Sequence, residues 1–207
     1  MNYVIKQMSR ENVAQVTEID RQAFPTMWPP ANYDREMDNH MAYYLVAVEH
    51  SGNHAKPEQR TRNEPGFLEK LRDFLIKEDV KEPIDNVVGF AGFWLLAGEA
   101  HIISIAVRKE LQAQGIGSLL LVNLIQDAVR KKAFEVTLEV RASNVQAQKL
   151  YLKYGFVAQG VRHGYYTDNR EDALIMTLDR VDSAIFKYQL EEMKSSLKLK
   201  EQLQNLA

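Results

Sequence analysis

The chain has no cysteine, which excludes disulfides, thiolate metal sites and any acyl-cysteine intermediate. It also has no apolar run near the roughly 18 residues that a membrane-spanning helix needs. Its first residues, Met1-Asn2-Tyr3-Val4-Ile5-Lys6, enter a strand pattern directly, so a cytoplasmic protein without a membrane partner is expected. Charge of one sign is missing too. The formal net charge is −2, without the basic footprint that grips nucleic acid through its phosphates. What is present is the balance of an ordinary globular protein, with 45% apolar and 26% charged residues. The 207 residues suffice for one substantial core and are short for two.

Residues 3–8 read as a strand and 10–23 as a helix, with Ser9 as N-cap and Val13, Val16, Ile19 and Ala23 on one face. The next stretch, Phe24-Pro25-Thr26-Met27-Trp28-Pro29-Pro30, is kept irregular by its prolines. Strands follow at 43–49, 87–96 and 100–107, the last two joined by a turn at Gly98-Glu99. The intervening residues 51–85 read as an inserted charged loop with one short amphipathic helix carrying Phe67, Leu71 and Phe74. Gly115 to Lys132 then reads as a helix, 136–140 as a buried strand, and Asn144 as the cap of a helix that ends before Gly155. Strands at 156–161 and 173–178 close the sheet. Phe186, Leu190, Met193 and Leu197 form one apolar stripe on a terminal helix. The order β-α-(loop)-β-β-β-α-β-α-β-β predicts a mixed α/β sheet, not a regular Rossmann alternation. A domain at 1–180 with an appended amphipathic helix at 181–207 is expected.

Gln112-Ala113-Gln114-Gly115-Ile116-Gly117 links a strand to a helix and suits an anion. Glycines let backbone N–H groups turn toward a ligand, and the helix N-terminus adds a favourable dipole. A tight structural connection would read the same way. Gly117 is followed by Ser118-Leu119, not by the Lys-Ser/Thr pair of a nucleotide-triphosphate loop. The turn also lies past mid-chain, which argues against a dinucleotide fingerprint. Downstream, Glu139 interrupts an apolar strand, and Tyr151 follows on the apolar face of the next helix. Amide formation from a thioester needs a base for the attacking ammonium and an acid for the departing thiolate. A partly desolvated Glu139 with a raised pKa would suit the first task. The same residues also read as a solvent-facing strand position and a core aromatic.

Taken together, Ile105-Ala106-Val107, the 112–118 turn, Leu138-Glu139-Val140-Arg141-Ala142-Ser143-Asn144 and Leu150-Tyr151-Leu152-Lys153-Tyr154-Gly155-Phe156 resemble the GNAT acetyltransferases. More narrowly, they resemble the RimI-type ribosomal-protein alanine N-acetyltransferases. Ala23-Phe24-Pro25, Trp28, Tyr165-Tyr166 and 171–176 extend the likeness. It implies a GNAT acyl-CoA N-acyltransferase fold and acetyl-CoA as co-substrate, with no metal. It further implies that the backbone of Ile105, Ala106 and Val107 pairs with the pantetheine arm. The pyrophosphate would be held by the turn Gln112, Ala113, Gln114, Gly115, Ile116, Gly117 and Ser118, and Asn144 would also touch the cofactor. Glu139 matches the family's general base and Tyr151 its general acid, while Phe24, Trp28 and Tyr165 fall near the acceptor peptide. This chain departs from the family in its neutral Ala113-Gln114, in Gly164 before the tyrosine pair, and in its insert and terminal helix.

The expected activity is direct acetyl transfer to the N-terminal α-amine of a protein, with the N-terminal alanine of a small-subunit ribosomal protein as the implied acceptor. A GNAT acting on lysine side chains or small amines, and a non-catalytic acyl-CoA-binding module, are the competing readings. The terminal helix would pack on its own chain or join a homodimer.

Overall fold

A computed structural model describes residues 3–26, 31–49 and 85–204. The insert at 51–84 and Trp28 lie outside the described residues. Strand β1 (Tyr3–Gln7) leads through a 3-10 turn (Arg10–Asn12) into helix α1 (Val13–Ala23), and a four-residue helix α2 (Tyr33–Glu36) precedes β2 (Ala42–Glu49). There follow β3 (Val87–Leu96), β4 (Glu99–Val107), α3 (Ile116–Arg130), β5 (Glu135–Arg141), α4 (Val145–Lys153), β6 (Val157–Tyr166), β7 (Glu171–Leu178) and α5 (Ala184–Gln204). This is the expected mixed α/β order with α2 added. The single sheet runs β1-β2-β3-β4-β5-β7-β6. Every neighbouring pair is antiparallel except β4 and β5, which are parallel.

The sheet separates two clusters of buried side chains. On one face, Leu120, Leu124 and Ile125 of α3 and Phe186 and Leu190 of α5 pack with Val136, Leu138 and Val140 of β5. On the other, Val16 and Ile19 of α1 and Tyr33 of α2 pack against Tyr44, Val46 and Phe90. The stripe read on the terminal helix therefore packs on its own chain, with Met193 and Leu197 half-buried against the first cluster. Truncating a fully buried Leu120 or Leu124 would cost about 2–5 kcal/mol, because the surroundings only partly close such a cavity. The β3–β4 turn sits one residue earlier than expected. Ala97 and Gly98 both take positive φ (51° and 88°), and Glu99 already pairs with Leu96. A two-residue hairpin needs that left-handed geometry twice, and Ala97 disguises half of the signal.

Candidate active site

Two irregularities in β4 open a cleft in the sheet. Gly92 pairs with Ser104 but Phe93 pairs with Ile102, so Ile103 is an extra residue. Such a bulge bends the strand and changes which face its side chains meet. Ala100 and Ile102 accordingly join the first cluster, whereas Ala106 joins the second. Beyond the bulge β4 leaves β5. Their parallel pairing covers only Glu99↔Glu135 to Ile102↔Leu138, although β4 runs on to Val107 and β5 to Arg141. The segment containing Ile105, Ala106 and Val107 keeps β3 as a neighbour and turns its other edge to the cleft.

The turn stands at the open end of that cleft. Ala113 (φ 62°) and Gly115 (φ 89°) take left-handed backbone, and Gly115 is the N-cap of α3 with no side chain capping it. A helix's first N–H groups have no intrahelical acceptor, so the amides at Ile116, Gly117 and Ser118 present a positive helix end. A Cβ on Gly115 would meet nothing within 4 Å among the described residues, so the glycine answers to its φ there. Gln114 is steadied by the Tyr3 hydroxyl, which donates to its Oε1 at 3.2 Å. Two cations precede the turn, Arg108 and Lys109; Arg108 donates to the Val87 carbonyl at 2.8 Å and lies 3.5 Å from Glu18.

Glu139 occupies the first β5 position past the last β4–β5 pair. Strand alternation puts it on the face opposite Leu138 and Val140. Its side chain is only 6% exposed, and each oxygen is engaged: Oε2 lies 2.8 Å from His101 Nε2, and Oε1 lies 3.1 Å from Arg162. The expectation of a raised pKa is therefore corrected. The His101 hydrogen bond, opposed by desolvation and assisted by the charges of His101 and Arg162, holds the carboxyl below its ordinary range. In return the Glu139 hydrogen bond raises His101. Strand register brings the pair together, since His101 on β4 lies beside Thr137 on β5, two residues before Glu139.

Tyr151 is buried on α4, its ring 5.6 Å from that of Phe156, and burial pushes its hydroxyl up to about 12. It keeps its proton at neutral pH. The uncharged form is also favoured by the nearby Tyr166. Tyr165 is 43% exposed and stands edge-on to Tyr166 at 5.2 Å. Its hydroxyl is raised chiefly by desolvation and next by the charge of Glu139, so Glu139 and Tyr165 share one neighbourhood. Phe24 ends α1 and packs half-buried against the second cluster. Asn144 caps α4, accepting from the Ala147 N–H at 3.1 Å.

Arg141 ties this region together. One terminal nitrogen donates to Asn169 (3.2 Å) and Glu171 (3.1 Å), the other to both oxygens of Asp168 (3.0 Å) and to Thr26 (3.4 Å). Its guanidinium lies 3.8 Å over the Tyr166 ring. The Arg141 side chain thereby joins the segment after Phe24 to the β6–β7 turn after Tyr165. Glu171 also accepts from the Ser143 N–H at 2.7 Å, and these bonds hold its carboxyl down at about 2. Sequence reasoning missed His101, Arg162 and the clamping role of Arg141. For His101 a faint signal existed, a polar residue at an alternating strand position. Arg162 lies in a strand exposed along nearly its whole length, where polar residues carry no message.

A sequence model of the Acetyltransferase (GNAT) family matches residues 13–156. A Bacillus subtilis protein provisionally named ribosomal protein bS18-alanine N-acetyltransferase is 31% identical over 173 residues, 83% of this chain and 92% of its own length. The ribosomal protein bS18-alanine N-acetyltransferase of Escherichia coli K12 is 42% identical over 95 residues, covering 45% of this chain and 64% of its own. Among solved structures, the Escherichia coli ribosomal-protein-S18-alanine N-acetyltransferase superposes with a TM-score of 0.60 at 24% identity, over 86% of this chain and 94% of that one. Arabidopsis thaliana NAA60 in complex with acetyl-CoA gives 0.65 at 14% identity, over 86% and 98%. At such identities these likenesses establish the fold.

Proposed function

Since the chain belongs to the acetyltransferase (GNAT) family and is an acetyl-CoA-dependent N-acetyltransferase, we propose that its acceptor is the N-terminal α-amine of a protein, the N-terminal alanine of ribosomal protein bS18 in the first instance. The observation that carries this reading is the opening of the sheet past Ile102 and Leu138, with Glu139 at its mouth. On one side of that opening, among the described residues, lies a β4 edge that no strand pairs past Ile102, its Val107 carbonyl accepting from the Gln112 side chain at 3.3 Å, and it leads to a helix N-terminus without a side-chain cap, a fit for an extended amide-bearing arm that ends in a diphosphate. The β4 backbone at Ile105, Ala106 and Val107 would hold the arm, and the amides of the turn at 112–118 and Asn144 its phosphate end. Acetyl-CoA supplies an activated acyl thioester when bound.

The residues of this chain handle the protons. Glu139, ionised at neutral pH, takes one from the acceptor ammonium, directly or through water. Tyr151, protonated at neutral pH, donates one to the leaving sulfur. The lowered pKa of Glu139 bears on the acceptor. A weak carboxylate base is better matched to an α-amine near about 8 than to a lysine near about 10.4. Phe24, Trp28 and Tyr165 would line the path of the acceptor peptide, and Arg141 would fix the two segments that carry Phe24 and Tyr165.

The deciding experiment is acetylation of a peptide array in which each peptide has a free or a blocked N-terminus, with the bS18 N-terminal sequence included. Labelling should require the free terminus. Labelling confined to internal lysines would favour the lysine-acetyltransferase reading instead.

A further inference from the structure

Glu139 can act as a base only while its carboxylate is held so that an acceptor ammonium, or a water bridging to it, reaches a free lone pair. A carboxylate offers about four acceptor directions, and Glu139 is held by one contact on each oxygen, from His101 Nε2 at 2.8 Å and from Arg162 at 3.1 Å. The two holds differ in stiffness. Arg162 is a long side chain, 53% exposed, on the edge strand β6, and an ion pair made from such a group spends much of its energy on ordering the chain. His101 is a short ring, 33% exposed, on the part of β4 that still pairs with β5, so the sheet itself sets its place.

The neighbours of the ring also fix its hydrogen. Glu139 is ionised at neutral pH, so a 2.8 Å approach between its Oε2 and His101 Nε2 requires the hydrogen on Nε2. Nδ1 lies 3.8 Å from Glu99 Oε1, beyond hydrogen-bond length, and keeps the lone pair of the neutral ring. Protonation therefore occurs at Nδ1, on the Glu99 side, and leaves the bond from Nε2 to Glu139 in place. We propose that His101 is a positioning residue for Glu139, donating through Nε2–H in both of its charge states and keeping the remaining lone pairs of the carboxylate open to the cleft. The inference rests on the acetyltransferase reading above. The charged groups around the imidazole are Glu139 on β5, Arg162 on β6 and Glu99 on its own strand. Its partner on β3 is Trp94, whose indole N–H is held by Glu36 of α2.

The test compares wild type with His101→Leu, which cannot donate, and with His101→Gln, whose amide can place an N–H where Nε2 stands. The first substitution should lower kcat about tenfold, with acetyl-CoA affinity by calorimetry unchanged, and the second should recover most of that loss. A role in packing would not distinguish an amide from a hydrocarbon in this way, so equal losses would overturn the proposal, as would a His101→Leu enzyme as fast as wild type. Because the ring donates whether or not Nδ1 is protonated, the advantage of wild type over His101→Leu should persist from about pH 5.5 to about 9, on both sides of an ordinary histidine pKa. An advantage that vanished at either end would overturn the positioning role. NMR of the His101 ring gives a readout without turnover: above its pKa the nitrogen shifts should place the hydrogen on Nε2, and Glu139→Gln should lower that pKa. A neutral ring with its hydrogen on Nδ1 overturns the proposal even if every amine acceptor tried proves inert, which would separately refute the functional reading.

Discussion

The β4 wall of the cleft offers a ligand backbone and little charge, whereas the β5 wall offers charged side chains recruited from several strands. On the β4 side, the edge that no described strand pairs past Ile102 and the turn from Gln112 to Gly117 are neutral, and Arg108 bonds to Val87 and lies near Glu18. On the β5 side, Glu139 is bracketed by His101 and Arg162, and Arg141 by Asp168 and Glu171. The two walls suit two tasks. Backbone amides recognise a constant cofactor whatever side chains surround them. An acceptor that must be oriented and deprotonated needs groups with particular charges, held in place.

Substitutions can separate the walls. The largest effect is expected from Glu139→Gln and Tyr151→Phe, each lowering kcat by about 10²-fold or more while calorimetry finds acetyl-CoA affinity within about twofold of wild type. Turnover that survived both changes would remove the proposed base and acid. Arg141→Ala should come next, raising the acceptor KM by about tenfold with acetyl-CoA affinity untouched, because Thr26 and Asp168 lose their common partner. An equal loss of cofactor affinity would mean that Arg141 serves the whole site and not one wall. Gly115→Ala tests the other wall. Left-handed backbone at φ 89° costs a residue bearing Cβ about 1–2 kcal/mol, so the acetyl-CoA KM should rise about fivefold or somewhat more while the acceptor KM stays put.

The smallest effect is one of stability. The Glu171 carboxyl sits at about 2 in the folded chain, against about 4.3 when unfolded. A depressed carboxylate stabilises fully above its unfolded pKa and loses that contribution as pH falls through its folded one. The gap in urea midpoint between wild type and Glu171→Gln should therefore be constant above about pH 5 and close as the pH approaches 2. A gap that persisted at pH 2 would assign the loss to packing. His101 has the opposite sign. Its raised pKa adds stability below about 6.5 that disappears as pH rises through the folded value.

The contrast between the walls is also a contrast in legibility. The turn could be read because glycine spacing, a helix start and the missing Lys-Ser/Thr pair are all local. The Asn144 cap and the Phe186 to Leu197 stripe are local in the same sense, depending on neighbours within a few turns of the chain. His101 and Arg162 could not be read as partners of Glu139. They lie 38 residues before it and 23 after it, and they meet only because β4 runs parallel to β5 while β7 carries β6 alongside. Strand register is a property of the assembled sheet.

By itself the sequence determined the order of elements, the faces they bury and the family likeness, since periodicity, capping and glycine placement act over short stretches of chain. Only the tertiary structure decided how far β4 pairs with β5, and with it where the cleft opens. It also decided that Glu139 is held ionised, contrary to the raised pKa expected from burial. Desolvation can be guessed from an apolar strand. An ion pair requires two distant residues to be brought within about 3 Å of it, and that is set by the sheet.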